Sequence, residues 1–263
     1  MRQIVLITDF GTQDQYIGLM KGVITRITKE NNIIDLNNNI RPQNILQASF
    51  ILSKSVKYFS EDSIFCCVVD PGVGTDRKIL IVKNKNQCFV APDNGLLTGV
   101  ITEESSIFYA NSSYIDKIQN SNTFHGRDIF APLASEMSIG NDSIILGERV
   151  SFNNVKTIDI NESTIGDKVF GKIMNIDVYG NIVTNINGGN ISNFHSIEYR
   201  DEVITNKSNN YSDSDGNLFF YNGSCETVEI GIKNKSANKY LKSNIGDDVI
   251  AIKKGLLKSN PFE

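Results

Sequence analysis

Side chains capable of chemistry cluster in a handful of short loops. Thr8-Asp9-Phe10-Gly11 sets a carboxylate directly after an apolar run, beside a glycine that lets a ligand approach the backbone, a combination suited to ribose hydroxyls. The same residues would also serve as an ordinary turn or helix N-cap. Asp70-Pro71-Gly72-Val73-Gly74-Thr75-Asp76-Arg77 encloses a proline and two glycines between an acid and a base. Such a turn can fold both charges over one spot, or display them as an exposed ion pair. Ala91-Pro92-Asp93-Asn94-Gly95 is a third turn of this kind, equally readable as plain turn chemistry. Thr123-Phe124-His125-Gly126-Arg127-Asp128 holds one of only two histidines, next to a glycine that permits close approach. His195 sits in a polar stretch with no motif around it and reads as structural or surface. Asp177-Val178-Tyr179-Gly180-Asn181 offers an aromatic face for stacking and an amide for edge hydrogen bonds, which is what a purine needs, or else forms a tight hairpin.

The elements that must position these loops are legible from apolar spacing. Ile4 to Thr8 predicts a strand buried on both faces, Tyr16 to Ile27 an amphipathic helix, and Ile33 to Leu36 a second strand, together a βαβ unit. Pro42 is placed in the first turn of a helix carrying Ile45, Phe50, Ile51 and Leu52, followed by buried strands at Ser63 to Val69, Ile79 to Val82 and Cys88 to Ala91. This alternation predicts a mostly parallel sheet flanked by helices, with ligands beyond the carboxyl ends of its strands, where the loops after Thr8, Val69 and Ala91 lie. A helix-like stretch, Asp128 to Met137, closes this half. From Val150 to Asp167 the chain is polar and irregular. Beyond it, runs at Val169 to Ile176, Ile182 to Ile186, Leu218 to Tyr221, Thr227 to Lys233 and Asp248 to Lys253 predict an all-β, barrel-like second domain. The expected division is 1–160 for the α/β domain and 161–263 for the smaller β domain.

Composition narrows the function classes. At 263 residues with 40% hydrophobic and 21% charged, the chain has ample material for buried cores and is neither disordered nor fibrous. A formal charge of -4 without a basic cluster argues against nucleic acid as partner. No run of apolar residues is long enough for a membrane span, and Ile4 to Ile7 is too short for a signal peptide, so a cytoplasmic protein is expected. The four cysteines lack metal-ligand spacing, and Cys66 and Cys67 lie within an apolar run, as buried reduced thiols would.

Taken together, the motifs resemble in order and spacing the S-adenosyl-L-methionine hydroxide adenosyltransferases, a family related to the fluorinase and chlorinase enzymes. The resemblance runs from Thr8-Asp9-Phe10-Gly11 and Tyr16-Ile17-Gly18 through Val69-Asp70-Pro71-Gly72-Val73-Gly74, Pro92-Asp93-Asn94-Gly95-Leu96-Leu97 and Phe124-His125-Gly126-Arg127-Asp128 to Tyr179-Gly180-Asn181 and Thr184-Asn185-Ile186. It implies hydrolysis of S-adenosyl-L-methionine to adenosine and L-methionine without a cofactor or metal. It also implies a homotrimer whose sites lie between one subunit's N-terminal domain and its neighbour's C-terminal domain. The family's catalytic Asp, Arg and His fall on Asp70, Arg77 and His125. In the halogenating relatives the first position looks like a tyrosine and the other two residues are absent, so this chain sides with water as nucleophile. For binding, the resemblance puts Asp9 on the ribose hydroxyls and Tyr179, Asn181 and Tyr211 around the adenine. Asp177 and Ser224 match positions that hold the methionine part, Glu229 is a further candidate, and Ile232 falls where backbone contacts the base. Ser224-Cys225-Glu226-Thr227-Val228-Glu229-Ile230 departs from the commoner Ser-Ser-Gly-Tyr-Leu-Glu-Ile pattern. Three other readings compete: a metal-dependent phosphoesterase with Asp9, Asp70, Asp93 and His125 as ligands, a non-catalytic sensor of adenosine or S-adenosylmethionine, and a halide-using enzyme.

Overall fold

A computed structural model of the chain describes residues 2–29, 32–209 and 216–255. Two compact units divide between Ile158 and Asp159. The first is built on a seven-stranded sheet: β1 (Ile4–Thr8), β2 (Ile33–Asn37), β3 (Ile64–Val68), β4 (Ile79–Asn84), β5 (Gln87–Pro92), β6 (Ser106–Ala110) and β7 (Leu146–Val150), in the order β2-β1-β3-β5-β4-β6-β7. The four strands from β2 to β5 pair in parallel, while β4, β6 and β7 extend them antiparallel. Alternate residues of one strand feed opposite cores. Ile4, Leu6, Ile64, Cys66 and Val68 pack on one face, and Val5, Ile7, Phe65, Cys67 and Val69 on the other. Both faces being covered explains why these strands read as unbroken apolar runs rather than alternating ones.

Helix α1 (Tyr16–Thr28) buries Ile17, Met20, Ile24 and Thr28, a spacing of three to four that lays one stripe against the sheet. Helix α2 (Ile45–Ser55) covers the other face and starts at Asn44, whose Oδ1 accepts the Gln47 amide at 2.8 Å. Pro42 therefore lies ahead of the helix rather than in its first turn, because the asparagine cap sets the start. Helix α3 (Ser112–Ile118) is short and capped by Asn111. A π-helical turn, Gly126–Phe130, continues into α4 (Ala131–Ser138), which packs beside α1, and α5 (Asp142–Ile145) leads to β7. Strand β7 (Leu-Gly-Glu-Arg-Val) escapes sequence patterning because this edge strand is largely exposed and buries no apolar stripe.

The second unit is an all-antiparallel sheet. Strands β8 (Ser163–Ile165), β9 (Lys168–Ile176), β10 (Ile182–Asn187), β11 (Phe194–Tyr199), β12 (Glu202–Ile204), β13 (Leu218–Asn222), β14 (Thr227–Ile232) and β15 (Asp248–Lys253) run β12-β11-β15-β9-β10-β14-β13, with β8 against β9. A bridge from Lys207 to Phe220 draws the two ends together, giving a nearly closed barrel around Ile173, Ile186, Ile197, Phe220, Ile230 and Val249. Helix α6 (Ala237–Leu241) is capped by Ser236. The stretch read as irregular thus holds β8 and a 3-10 turn at Phe152–Asn154. Among the described residues no helix is long and apolar enough to cross a membrane.

Candidate active site

Strand β3 ends at Val68, and two residues later Asp70 opens the glycine-bearing turn. Val73 N–H donates to the Asp70 carbonyl at 3.2 Å, and both the amide and the hydroxyl of Thr75 donate to the Gly72 carbonyl, at 3.1 and 2.7 Å. Gly74 takes a φ of +79°, where a side chain would be strained. A Cβ on Gly72 would sit 3.3 Å from Arg77 Cγ, so the glycine leaves room for the arginine to fold back. It does so: Arg77 Nε lies 2.9 Å and Nη2 2.5 Å from Asp70 Oδ2, and the two side chains are only 7% and 5% exposed. Nη2 also lies 2.7 Å from His125 Nδ1, and the guanidinium rests 5.4 Å from the Phe130 ring centre. Acid, base and imidazole form one buried chain, with the arginine in the middle.

His125 reaches this chain from the N-cap of the π-helical turn. Such turns carry an extra residue that re-aims side chains and recur at functional sites. Gly126 packs so closely that a Cβ would come within 2.8 Å of the Phe10 ring and 3.0 Å of Phe124. Phe10, Tyr16 and Phe124 form a ring cluster, with centres 5.0 to 5.9 Å apart. Burial pushes the His125 pKa below 6.5, and the Arg77 charge lowers it further against the opposing pull of Asp70 and Asp128. The imidazole is therefore neutral at pH 7. Beside it a cavity of about 770 Å³ is lined by Arg77, Tyr109, Asp116, Gln119, His125 and Glu148 among others.

Asp9 follows β1. Its Oδ2 accepts the Gln43 amide at 2.7 Å, and Gln43 itself holds a φ of +64°. Burial raises the Asp9 pKa above the usual carboxylate value, a rise the Gln43 bond opposes and the Asp70 charge reinforces. Asp93 is turned elsewhere, accepting the Lys156 amide at 2.9 Å, and Asn94 donates to the Val69 carbonyl. Among the described residues no three His, Cys, Asp or Glu side chains converge as metal ligands. His195 is exposed on β11.

In the β unit, Asp177 organises its own turn. Oδ1 accepts the amides of Tyr179 and Asn181 at 3.0 and 2.8 Å, and Oδ2 accepts Asn181 Nδ2 at 2.8 Å. Gly180, at a φ of +87°, is pressed against Ser236, whose Oγ would lie 2.0 Å from an added Cβ. Tyr179 is left 76% exposed, while Asn181 is buried with its Oδ1 unpartnered. Both line a hollow of about 680 Å³ together with Asp177, Asn234, Lys235 and Ser236. Glu229 is buried on β14, where Tyr221 faces it across the strand pair and donates to Oε2 at 2.6 Å. Burial raises its pKa, opposed by the Tyr221 bond and aided by Asp177. Gly223 makes space for this carboxylate, since an added Cβ would fall 1.8 Å from Oε1. Ser224 is exposed in the turn before β14, and the Ile232 carbonyl accepts the Lys235 amide at 3.2 Å. Tyr211 lies outside the described residues. Gln43, Gln119 and Tyr221 were not singled out from sequence. Only Tyr221 had a usable signal, its place on a strand facing Glu229.

One unit is an α/β unit in which an acid, an arginine and a histidine are joined beyond the strands, the other a β-barrel unit with an amide-and-aromatic hollow, and the two features define an enzyme class built for a polar small molecule. The sequence matches the SAM hydroxide adenosyltransferase N-terminal domain over residues 4–147 and the corresponding C-terminal domain over 171–250, and the chain belongs to that family. An (R)-S-adenosyl-L-methionine hydrolase of Methanocaldococcus jannaschii is 36% identical over 70% of this chain and 66% of its own length. A second, from Thermus thermophilus, is 25% identical over 92% of this chain and 96% of its own. A solved structure described as an uncharacterized conserved protein from Thermotoga maritima superposes with a TM-score of 0.85 at 32% identity, covering 95% of this chain and all of that one.

Proposed function

We propose that the chain hydrolyses S-adenosyl-L-methionine to adenosine and L-methionine, acting on the (R) sulfonium epimer. The names of its relatives support that choice of substrate. Water attacks the ribose C5′, the C5′–S bond breaks, methionine leaves as a neutral thioether and one proton is released. Since the sulfonium carries its positive charge beforehand, its departure needs no general acid. The barrier lies in holding a weak nucleophile in line with the C5′–S bond, and orientation in a closed site can contribute about 7–11 kcal/mol.

The observation that carries this reading is the buried Asp70–Arg77–His125 chain. An ionised carboxylate has about four acceptor positions, so Asp70 can hold Arg77 and still accept from a water. Arg77 stabilises the hydroxide character that develops on that water, and His125 keeps Arg77 in place. Asp9 binds the ribose hydroxyls. Tyr179 stacks on the adenine, and Asn181 offers it an unpartnered acceptor; the family resemblance assigns Tyr211 to the adenine as well. Glu229, buried with one neutral donor, suits the methionine ammonium, with Asp177 and Ser224 beside it and Ile232 on the base. The working form is a cytoplasmic homotrimer in which a neighbour's β unit completes each site, as the family resemblance implies.

The test is product analysis by chromatography and mass spectrometry after incubation with S-adenosyl-L-methionine in excess chloride and EDTA. Adenosine with methionine supports the proposal. Appearance of 5′-chloro-5′-deoxyadenosine, or binding without turnover, would overturn it.

A further inference from the structure

We propose that Gln119 is a positioning residue that fixes the tautomer of His125, and through it the place of Arg77; the role given to Arg77 rests on the function proposed above. The argument begins with what each partner can donate. A guanidinium has donors only, so His125 Nδ1, 2.7 Å from Arg77 Nη2, must accept and carries no proton. The proton of the neutral ring is then on Nε2. Facing Nε2 at 3.4 Å is the amide nitrogen of Gln119, which also donates to Asn122 Oδ1 at 2.7 Å and to the Ser121 carbonyl at 3.3 Å.

With the amide nitrogen at that position, both neighbours of the imidazole are donors, and a neutral ring has one acceptor. Arg77 cannot change its part, so Gln119 does. A half-turn of its carboxamide presents the oxygen to Nε2–H, and a matching half-turn of Asn122 preserves the bond between the two amides at the cost of the longer contact to Ser121. The nitrogen of histidine that carries the proton is set by the bond its other nitrogen makes, and here the two bonds lock each other. Were the proton on Nδ1 instead, it would point at the guanidinium and push Arg77 away from Asp70. Gln119 itself touches neither Asp70 nor Arg77 through any of these bonds, and its effect is carried by the ring.

The groups acting on His125 are Arg77, Asp70 and Asp128, while Asp76, Lys78, Asp116 and Glu148 line the cavity on the Gln119 side. Two-bond proton–nitrogen spectra of histidine-labelled protein read the tautomer directly, and with only two histidines a His195→Gln variant assigns the signals. The wild type is expected to show His125 as the Nε2–H form alone. Gln119→Ala should show both tautomers and a kcat lowered about tenfold at unchanged KM, the scale usual for partners that orient a histidine. Gln119→Glu, whose carboxylate accepts from Nε2–H, should restore the single tautomer and the activity at alkaline pH, with the titration of His125 and the acid limb of kcat moved to higher pH. An Nδ1–H form in the wild type, or spectra and pH profiles identical in all three proteins, would overturn the proposal. Because the spectra need no turnover, absence of hydrolysis by the wild type would count against the function alone.

Discussion

Arg77 is held from two directions, by the Asp70 carboxylate on Nε and Nη2 and by the His125 ring on Nη2. Replacing its fork by a single ammonium leaves one of these partners unserved, so Arg77→Lys should lower kcat by about a hundredfold or more while moving KM little, as loss of one aligned donor does elsewhere. Asp70→Asn turns an acceptor into a donor against the guanidinium, and a comparable loss is expected in steady-state assays. The pH dependence follows from two groups. His125 must stay neutral to accept from Arg77, and its lowered pKa keeps it so from neutral pH down past 6.5. Asp9 must stay charged for the ribose, and its raised pKa brings its neutralisation above the ordinary carboxylate range. Both losses fall on the acid side. The profile of kcat/KM should therefore be flat from pH 8 to about 6.5, the ordinary imidazole value, and decline below it. The His125 contribution to stability should decline in the same direction, because a histidine whose folded-state pKa is depressed favours the folded form above its unfolded pKa and loses that contribution as pH falls through the folded value, while the raised pKa values of Asp9 and Glu229 act in the opposite sense.

At the scale of elements, the π-helical turn decides where His125 stands. Its first residue, Gly126, has the Phe10 and Phe124 rings within 2.8 to 3.0 Å of where a Cβ would be. Gly126→Ala should therefore displace the turn or the rings, at about 1–3 kcal/mol of stability by overpacking, with a drop in kcat. Denaturant unfolding and assay of the same preparation check both effects. A variant that lost stability but kept full kcat would show that the turn supports the fold without aiming His125. In the β unit the corresponding junction is Gly223, where a methyl group would meet Glu229 Oε1 at 1.8 Å. The carboxylate depends on this glycine for its space and on β13 for its hydrogen bond.

For the whole molecule, the expected trimer makes a prediction that no single-copy site would. If a neighbouring subunit's β unit completes each site, Asp70→Asn and Asn181→Ala damage different halves of one site. Each alone should be impaired, the second mainly through a KM raised about tenfold by loss of its polar contacts. Dissociated and reassembled together, they should regain part of the activity, since some sites would then draw both intact halves from different copies. A mixture no better than the sum of its components, in protein whose light scattering reports a trimer, would place both halves of the site in one subunit. Chelation offers a separate check at this scale: prolonged EDTA treatment should leave turnover unchanged, since no step proposed here uses a metal.

Much of this was legible from residue order. Runs such as Ile4 to Thr8 and Ser63 to Val69 read as strands buried on both faces because they are short, continuously apolar and bounded by turn residues, and the helical spacing from Tyr16 onward supplies an apolar stripe to cover them. The turn from Asp70 to Arg77 also announced itself, since its proline and glycines restrict how the chain can fold back. What residue order left open was which contacts the turn and the loops would make. Arg77 could have paired with Asp70 at the surface. Only the tertiary structure buries the pair and brings in His125 from 48 positions away, with Gln119 behind it. Asp93, which sequence offered only as a turn acid or as a ligand in the competing metal reading, accepts the backbone amide of Lys156. Local chemistry selects residue types and backbone shapes, whereas contacts between distant segments depend on how whole elements pack, and no short stretch of sequence contains that information.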